Sequence, residues 1–377
     1  MADIETIGWV VHEAKQDFKL EELVVEAPRD DELLIDMKFS GICHTDLVFQ
    51  QGELTLCPYP AVFGHEGAGF IRSIGPKVKN KDLKVGDFVL LSINYCEQCK
   101  FCKTKHPANC IHGSKLHLFG TRPDGSCSAK LKRTGESVRS YFFGQSSFMK
   151  TNCVAETCVV KYEGSPDDAA MCAAMGCGYQ TGAGTVMNVL KPTSDDSVVV
   201  FGLGTVGLTA IMGAKYCGAK QIIAVDIQAS KLPLAKEVGA THLVNSREVP
   251  DIVAHIKELT GGTGVDFAVD CSGVIPVIEK MIDCLAMFGT AATVGVPPSG
   301  AKVAVDPLQM LLYSRKYVGV REGDSDPPVF IPKLVEMQKQ GQFPVEKIIK
   351  VYDYKDMAQA LHDLHAGSVV KPVIQWF

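Results

Sequence analysis

"DSVVVFGLGTVGLTAIMGAKYCGAKQIIAVD", residues 196–226, is the stretch on which the fold turns. It runs as an apolar strand, a glycine-rich turn, a helix and a second apolar strand ending in an acid. The turn carries G-x-G-x-x-G at Gly202, Gly204 and Gly207, and Asp226 closes the second strand 19 residues past Gly207. A glycine motif alone is a weak signal. In a strand–turn–helix–strand–acid context it marks a dinucleotide site. The glycines let backbone N–H groups and a helix N-terminus approach a pyrophosphate. Asp226 is placed to accept hydrogen bonds from the adenosine ribose hydroxyls, and its charge repels a 2′-phosphate, so NAD is expected over NADP. The plainer alternative is a tight turn that packs a helix on a strand, with Asp226 a solvated acid.

Downstream, "VDFAVDCSG" and "GTAATVGV" read as further buried parallel strands. Amphipathic segments, "KLPLAKEVGA" and "IPVIEKMIDCLAMFG", separate them. This alternation predicts an α/β domain with a doubly wound parallel sheet. Upstream the pattern differs. "ELLIDMKFSGIC" and "VGDFVLLSI" have period-2 character between glycine-rich turns, which predicts a barrel-like, mainly antiparallel β domain. Residues 113–150 include "TRPDGSCSAKLKRTGES", polar and marked by Gly and Pro, and are expected to be mostly surface loop. The tail from "VYDYKD" to the end predicts a helix and then a strand that rejoins the first domain. The expected boundaries are 1–178, 179–320 for the dinucleotide-binding domain, and 321–377 for the return.

The bulk properties agree with two domains, since 377 residues exceed the roughly 250–300 at which one core stops growing. A composition 46% hydrophobic and 21% charged is that of an ordinary soluble protein. The net charge of −5 argues against nucleic acid or an anionic membrane as partner. No run is apolar enough to span a bilayer. The opening "MADIETIGWVVHEAK" has early acids and no cationic segment before an apolar one, so no signal peptide is expected and a cytoplasmic location is. There, fourteen cysteines are expected to be thiols or metal ligands rather than a disulfide framework.

Four of them crowd into "CEQCKFCKTKHPANC": Cys96, Cys99, Cys102 and Cys110. Such spacing lets one loop aim four sulfurs at one centre. Four thiolates suit a closed structural zinc site, and an iron–sulfur cluster uses similar spacings. A closed shell has no open position, so a working metal must lie elsewhere. "GICHTD" (Cys43, His44, Thr45, Asp46) and "FGHEGAG" (His65, Glu66) concentrate ligand-type residues, and "AMGCGYQTGAG" sets Cys177 between glycines. Two thiolates and one imidazole leave the fourth position open, which distinguishes a catalytic from a structural zinc site. Spacing alone does not separate this from buried small cysteines and a histidine beside a turn.

Together "GICHTD", "GHEGAG", the four-cysteine loop, "GCG…TGAG", "GLGTVG" and "VGVPP" resemble the zinc-dependent alcohol dehydrogenases of the medium-chain dehydrogenase/reductase superfamily. The resemblance covers essentially the whole chain. Residues 319–344 and "GSVVKPVI" are most similar to the microbial aryl- or benzyl-alcohol dehydrogenase branch. The resemblance implies a GroES-like catalytic domain built from both chain ends around a Rossmann domain, and a homodimer or homotetramer. It implies two zinc ions per chain, the catalytic one on Cys43, His65 and Cys177 and the structural one on Cys96, Cys99, Cys102 and Cys110. Asp46 would orient His65, Glu66 would lie behind the metal, and Thr45 would be the first proton acceptor. His44 and Lys371 match positions that contact cofactor phosphates, and Lys231 one near the adenosine ribose. The implied reaction is reversible oxidation of a primary or secondary alcohol, aryl, benzylic or allylic, to the aldehyde or ketone, with hydride transfer to NAD.

Two positions depart from the wider family. Many relatives carry a proton-relaying histidine where this chain has Val48. Many carry a bulky aromatic where this chain has Ser92, so a wider pocket is expected unless Ser92 merely caps a strand end. Three alternatives are a glutathione-dependent formaldehyde dehydrogenase, a biosynthetic zinc reductase using the same site, and a non-catalytic member. The first typically has an acid and an arginine where this chain has Leu54 and Ser114. The last would be marked by loss of a ligand, and Cys43, His65 and Cys177 are all present.

Overall fold

The computed structural model describes residues 3–377. The stretch quoted first folds as strand Ser197–Phe201, helix Thr205–Tyr216 and strand Gln221–Asp226. These begin a parallel sheet completed by His242–Asn245, Val265–Asp270, Leu285–Thr293 and Lys316–Gly319. Counted along the chain, the six strands stand in the order 3-2-1-4-5-6. The order reverses beside Ser197–Phe201, which is where a doubly wound sheet opens a ligand crevice. Val198, Val199, Val200, Ile223, Ala224, Ala268 and Val269 are fully or almost fully buried, because a parallel strand is covered on both faces. The amphipathic stretch "IPVIEKMIDCLAMFG" divides: its helix is Ile275–Asp283, and "LAMFG" already belongs to strand Leu285–Thr293.

The chain folds as two units. One holds the chain through Cys177 with Asp326–Val335 and Ile349–Phe377; the other holds Gly178–Ser325 and Glu336–Ile348. The first unit is β-rich. A five-stranded sheet runs Ala61–Val62, Ile4–Val11, Lys19–Val25, Ala129–Leu131 and Ser137–Val138. A seven-stranded sheet centres on Glu32–Gly41, which pairs antiparallel with Gly67–Ile74, Thr151–Ala155 and the tail strand Lys371–Gln375. Residues 148–150 join the two: Trp9 N–H donates to the Phe148 carbonyl and Met37 N–H to that of Lys150. The result is a near-closed, mainly antiparallel barrel, in which Ile349–Asp353 and Lys371–Gln375 pair in parallel. The period-2 strands are not half-wet: Leu33, Leu34 and Ile35 are buried in succession, as are Phe88 to Leu91. Closure covers both faces where an open sheet would leave one in water.

Residues 138–149 correct the expectation of a surface loop over 113–150, whereas 121–137 is mostly exposed. Tyr141, Phe142, Phe143, Phe148 and Met149 are buried, and so are Ser140, Gln145, Ser146 and Ser147. Within the polar run Asp124, Lys130, Lys132, Arg133 and Glu136 are exposed as expected, and Arg122 alone of its charged residues is buried. Arg122, 2% exposed, donates from Nε and Nη2 to Glu32 at 2.7 and 3.0 Å. Its Nη1 donates to Glu26 at 2.7 Å and to the Cys127 carbonyl at 3.2 Å. This fork satisfies a guanidinium and a carboxylate that could not otherwise leave water. Arg122→Ala would strand Glu32, itself only 3% exposed. We expect a loss of about 3–5 kcal/mol, seen as a lower guanidinium chloride midpoint for the transition of the first unit. An unchanged midpoint would show that the pair contributes nothing net.

Candidate functional site

The metal-type residues come from three separated stretches. Strand Glu32–Gly41 ends in a turn to helix His44–Gln50, whose N-cap is Cys43. His65 lies just before strand Gly67–Ile74, and Cys177 closes the 3-10 segment Ala169–Gly176. Their ligand atoms all lie within 4.8 Å of one another. The Nδ1 of His65 donates to Asp46 Oδ1 at 2.9 Å, which leaves Nε2 as the ring atom for a ligand. That Nε2 is buried with no hydrogen-bond partner among the described residues. A buried imidazole nitrogen without an oxygen or nitrogen partner, beside two sulfurs, is the donor set of a three-ligand zinc site.

Asp46 assembles this corner. Its Oδ1 also accepts from Gly64 N–H at 2.9 Å, and its Oδ2 accepts from Cys43 N–H at 3.0 Å. Burial works against a charged His65, but the Asp46 carboxylate and the Cys43 sulfur outweigh it and hold the imidazole above its usual range. The Cys43 thiol is held well below its usual value, first by hydrogen bonding with Cys177 and then, against burial, by His65 and Lys371. Thiolate is the form that binds metal. Thr45 Oγ1 is 3.8 Å from Cys43 Sγ. His44 is exposed on the first turn of the helix, and Val48 is buried farther along it.

Behind this group, Glu66 and Lys371 pair at 2.7 Å, and Lys371 Nζ also donates to the Ile42 carbonyl at 2.9 Å. Burial alone would push the ammonium down, but Glu66 holds it above its ordinary value. Lys371 is 2% exposed, so it anchors Glu66 and the residue before Cys43. Gly41 makes room: a Cβ there would stand 2.1 Å from Glu66 Oε2. Ser92 is fully buried, and its hydroxyl donates to the Gly176 carbonyl at 2.8 Å. It therefore supports the residue before Cys177, and filling this position with an aromatic would disturb Cys177 as well as the space beside it.

The four-cysteine loop has Sγ separations of 3.5 Å for Cys99–Cys102 and 3.9 Å for Cys96–Cys102. Thiolates about 2.3 Å from one tetrahedral zinc stand about 3.8 Å apart. All four sulfurs lie within 4.8 Å of one another, too close for the several irons and sulfides of a cluster. Backbone N–H groups of Cys102 and then Ile111 hold the Cys99 thiol down to about 6.

In the second unit each motif glycine has its own reason. Gly202 takes φ +90°, a left-handed turn that a side chain resists. A Cβ on Gly207 would stand 1.8 Å from the Gly202 carbonyl oxygen, so only glycine lets the helix close on the turn. A Cβ on Gly204 would meet nothing within 4 Å. That space is a cradle a side chain would fill and a phosphate can enter, at the start of helix Thr205–Tyr216. Asp226 Oδ2 accepts from Leu203 N–H and Oδ1 from Gln228 N–H, both at 2.8 Å, with Lys231 Nζ 3.8 Å away. The residues present fit a dinucleotide.

Sequence reasoning missed residues 142–147. The Phe143 ring lies between the imidazoles of His65 (4.4 Å, 20°) and His117 (4.7 Å, 21°). Gln145 is hydrogen-bonded to the His65 and Ser92 carbonyls. The one available signal was the run "SYFFGQSSFM", aromatic enough for a core but without helix or strand periodicity.

Comparison with known proteins places these features together. Residues 29–132 match the model of the alcohol dehydrogenase GroES-like domain, and residues 205–337 that of the zinc-binding dehydrogenases. A geraniol dehydrogenase of Castellaniella defragrans is 38% identical over 94% of this chain and 93% of its own. An S-(hydroxymethyl)glutathione dehydrogenase of Komagataella pastoris is 34% identical over 97% and 96%. The crystal structure of benzyl alcohol dehydrogenase from Acinetobacter calcoaceticus superposes with a TM-score of 0.93 at 39% identity, covering 99% of this chain and 100% of that one. With a near-closed barrel, a 3-2-1-4-5-6 sheet and these matches along its length, the chain belongs to the zinc-dependent alcohol dehydrogenases of the medium-chain dehydrogenase/reductase superfamily.

Proposed function

We propose that this protein uses NAD and two zinc ions per chain to oxidise benzylic or allylic alcohols reversibly to the carbonyl compound. The observation that carries the chemistry is the His65 Nε2, buried without a hydrogen-bond partner among the described residues and beside the Cys43 and Cys177 sulfurs. Zinc on those three donors would supply a Lewis acid with one open position, which lowers the pKa of an alcohol. The chain's own residues do the rest. Asp46 keeps the proton of His65 on Nδ1 and fixes the ring plane. Thr45, beside Cys43, takes the alcohol proton. Val48 carries no titratable group, so that position offers the proton no relay. Gly202, Gly204 and Gly207 would admit the dinucleotide phosphates, and Asp226 would hold the ribose and repel a 2′-phosphate. Cys96, Cys99, Cys102 and Cys110 would hold the second zinc, which closes a loop and does no chemistry.

The substrate class draws on two relatives: geraniol is an allylic alcohol and benzyl alcohol a benzylic one. A second reading, oxidation of S-hydroxymethylglutathione, draws on the Komagataella relative. An oligomer built on the Rossmann sheet is also proposed. Strand Lys316–Gly319 ends the sheet with an open edge. Beside it Met287, Phe288, Leu308, Leu311 and Leu312 are each more than half exposed. A second copy related by a two-fold axis would cover both the edge and this apolar strip.

Three measurements test this. Elemental analysis should find close to two zinc ions per chain; Cys43→Ser should abolish turnover in a folded protein, while Cys99→Ser should chiefly lower stability. A Cys99→Ser protein with full metal content and unchanged stability would refute the structural assignment. In a panel followed by NADH absorbance, benzyl alcohol and geraniol should exceed ethanol and S-hydroxymethylglutathione in kcat/KM. NAD should exceed NADP, by a margin that Asp226→Ala narrows. A preference for the glutathione adduct would install the second reading. Light scattering should give a dimer or tetramer that Leu311→Glu dissociates, and a monomeric wild type would end the oligomer proposal.

A further inference from the structure

The side chain of Gln145 is fully buried and uses three of the four hydrogen-bonding positions of its amide, both N–H donors among them. Oε1 accepts from Gly67 N–H at 3.1 Å. Nε2 donates to the His65 carbonyl at 3.0 Å and to the Ser92 carbonyl at 2.8 Å. A reversed amide would set its oxygen against two carbonyls, so the hydrogen-bond network admits one orientation. Ser92 in turn donates to the carbonyl of Gly176, next to Cys177. Gly176 is pressed flat against the end of strand Phe88–Leu91: a Cβ there would lie 1.8 Å from the Leu91 carbonyl oxygen. One amide therefore spans the main chain carrying His65 and the main chain supporting Cys177.

The backbone around it is held at some cost. Phe143, Gly144 and Ser146 take φ of 55°, 80° and 42°, and a non-glycine residue in that region is strained by roughly 1–3 kcal/mol. Surrounding contacts over-determine the segment. Phe143 is stacked on His65, Phe142 meets the same imidazole edge-on at 5.7 Å, and Ser146 Oγ donates to the Val62 carbonyl at 2.7 Å. The Gln145 carbonyl is fixed by Asn152 Nδ2 at 2.7 Å. Strain kept in a fully buried segment against a ligand points to a task at that ligand.

We propose that Gln145 is a positioning residue of the three-donor metal centre. Asp46 sets Cys43 against His65, and Gln145 sets His65 against Cys177 through Ser92. The tightness and geometry of metal binding at this centre depend on that amide, while the four-cysteine site does not. The inference rests on the metal reading above.

The test uses full-length zinc-loaded protein challenged with pyridylazoresorcinol, with cobalt-substituted protein read by its visible d–d bands. In wild type, zinc should leave in two phases, one for each site. Gln145→Met, close in length and without hydrogen bonds, should speed release from the three-donor site about tenfold or more, shift the cobalt bands and leave the other phase unchanged. Ser92→Ala, which removes the hydroxyl bonded to the Gly176 carbonyl, should move the same phase the same way by less; it is the readout if Gln145→Met does not fold. A merely structural role would lower the melting temperature of the variants with both phases and the cobalt bands as in wild type, and that result overturns the inference alone. A wild type that binds a single ion at the four cysteines would overturn the metal reading and this inference together.

Discussion

The arrangement of Cys43 and His65 hangs on one buried carboxylate. Asp46 has no exposed surface, and a carboxylate taken from water is tolerable only when its oxygens are occupied by donors. Cys43 N–H, Gly64 N–H and His65 Nδ1 supply them. The three donors belong to two stretches some twenty residues apart. Satisfying Asp46 therefore folds the helix His44–Gln50 against the turn that carries His65. The same bond fixes the imidazole tautomer and leaves Nε2 facing the sulfurs. The cost of burying a charge and the placing of metal-type donors are met by one set of hydrogen bonds.

Around this corner the first unit repeats the device. Glu66 is neutralised by Lys371, which also holds the carbonyl before Cys43. Glu32 is neutralised by Arg122. A near-closed barrel has little open face on which polar groups can reach water, so those placed inside must pair, and each pair ties distant parts of the chain together. The second unit works by small size instead. Gly207 lets a helix close on a turn, Gly204 leaves space at its mouth, and Asp226 accepts an N–H from that turn. One unit positions donors by pairing charge, the other positions N–H groups by omitting side chains.

The sequence by itself determined the two architectures and the residue types at their centres. Local chemistry sufficed there. The glycines of residues 202–207 and the acid at Asp226 lie within one strand–helix–strand unit, and Cys96, Cys99, Cys102 and Cys110 lie within one loop, so spacing carries the geometry. The family motifs extended this to Cys43, His65 and Cys177, whose convergence no local pattern encodes. Only the tertiary structure decided how those three stand to one another, because Asp46, Gln145 and Ser92, which tie their stretches together, bond to residues far away in sequence. It also decided which polar residues are inside. Arg122 and Gln145 sit in a stretch whose composition reads as surface loop, and they are buried because their partners, Glu32 and the carbonyls of His65 and Ser92, arrive from other strands. Period and composition register a residue's neighbours along the chain; the burial of a paired polar group is set by neighbours across it.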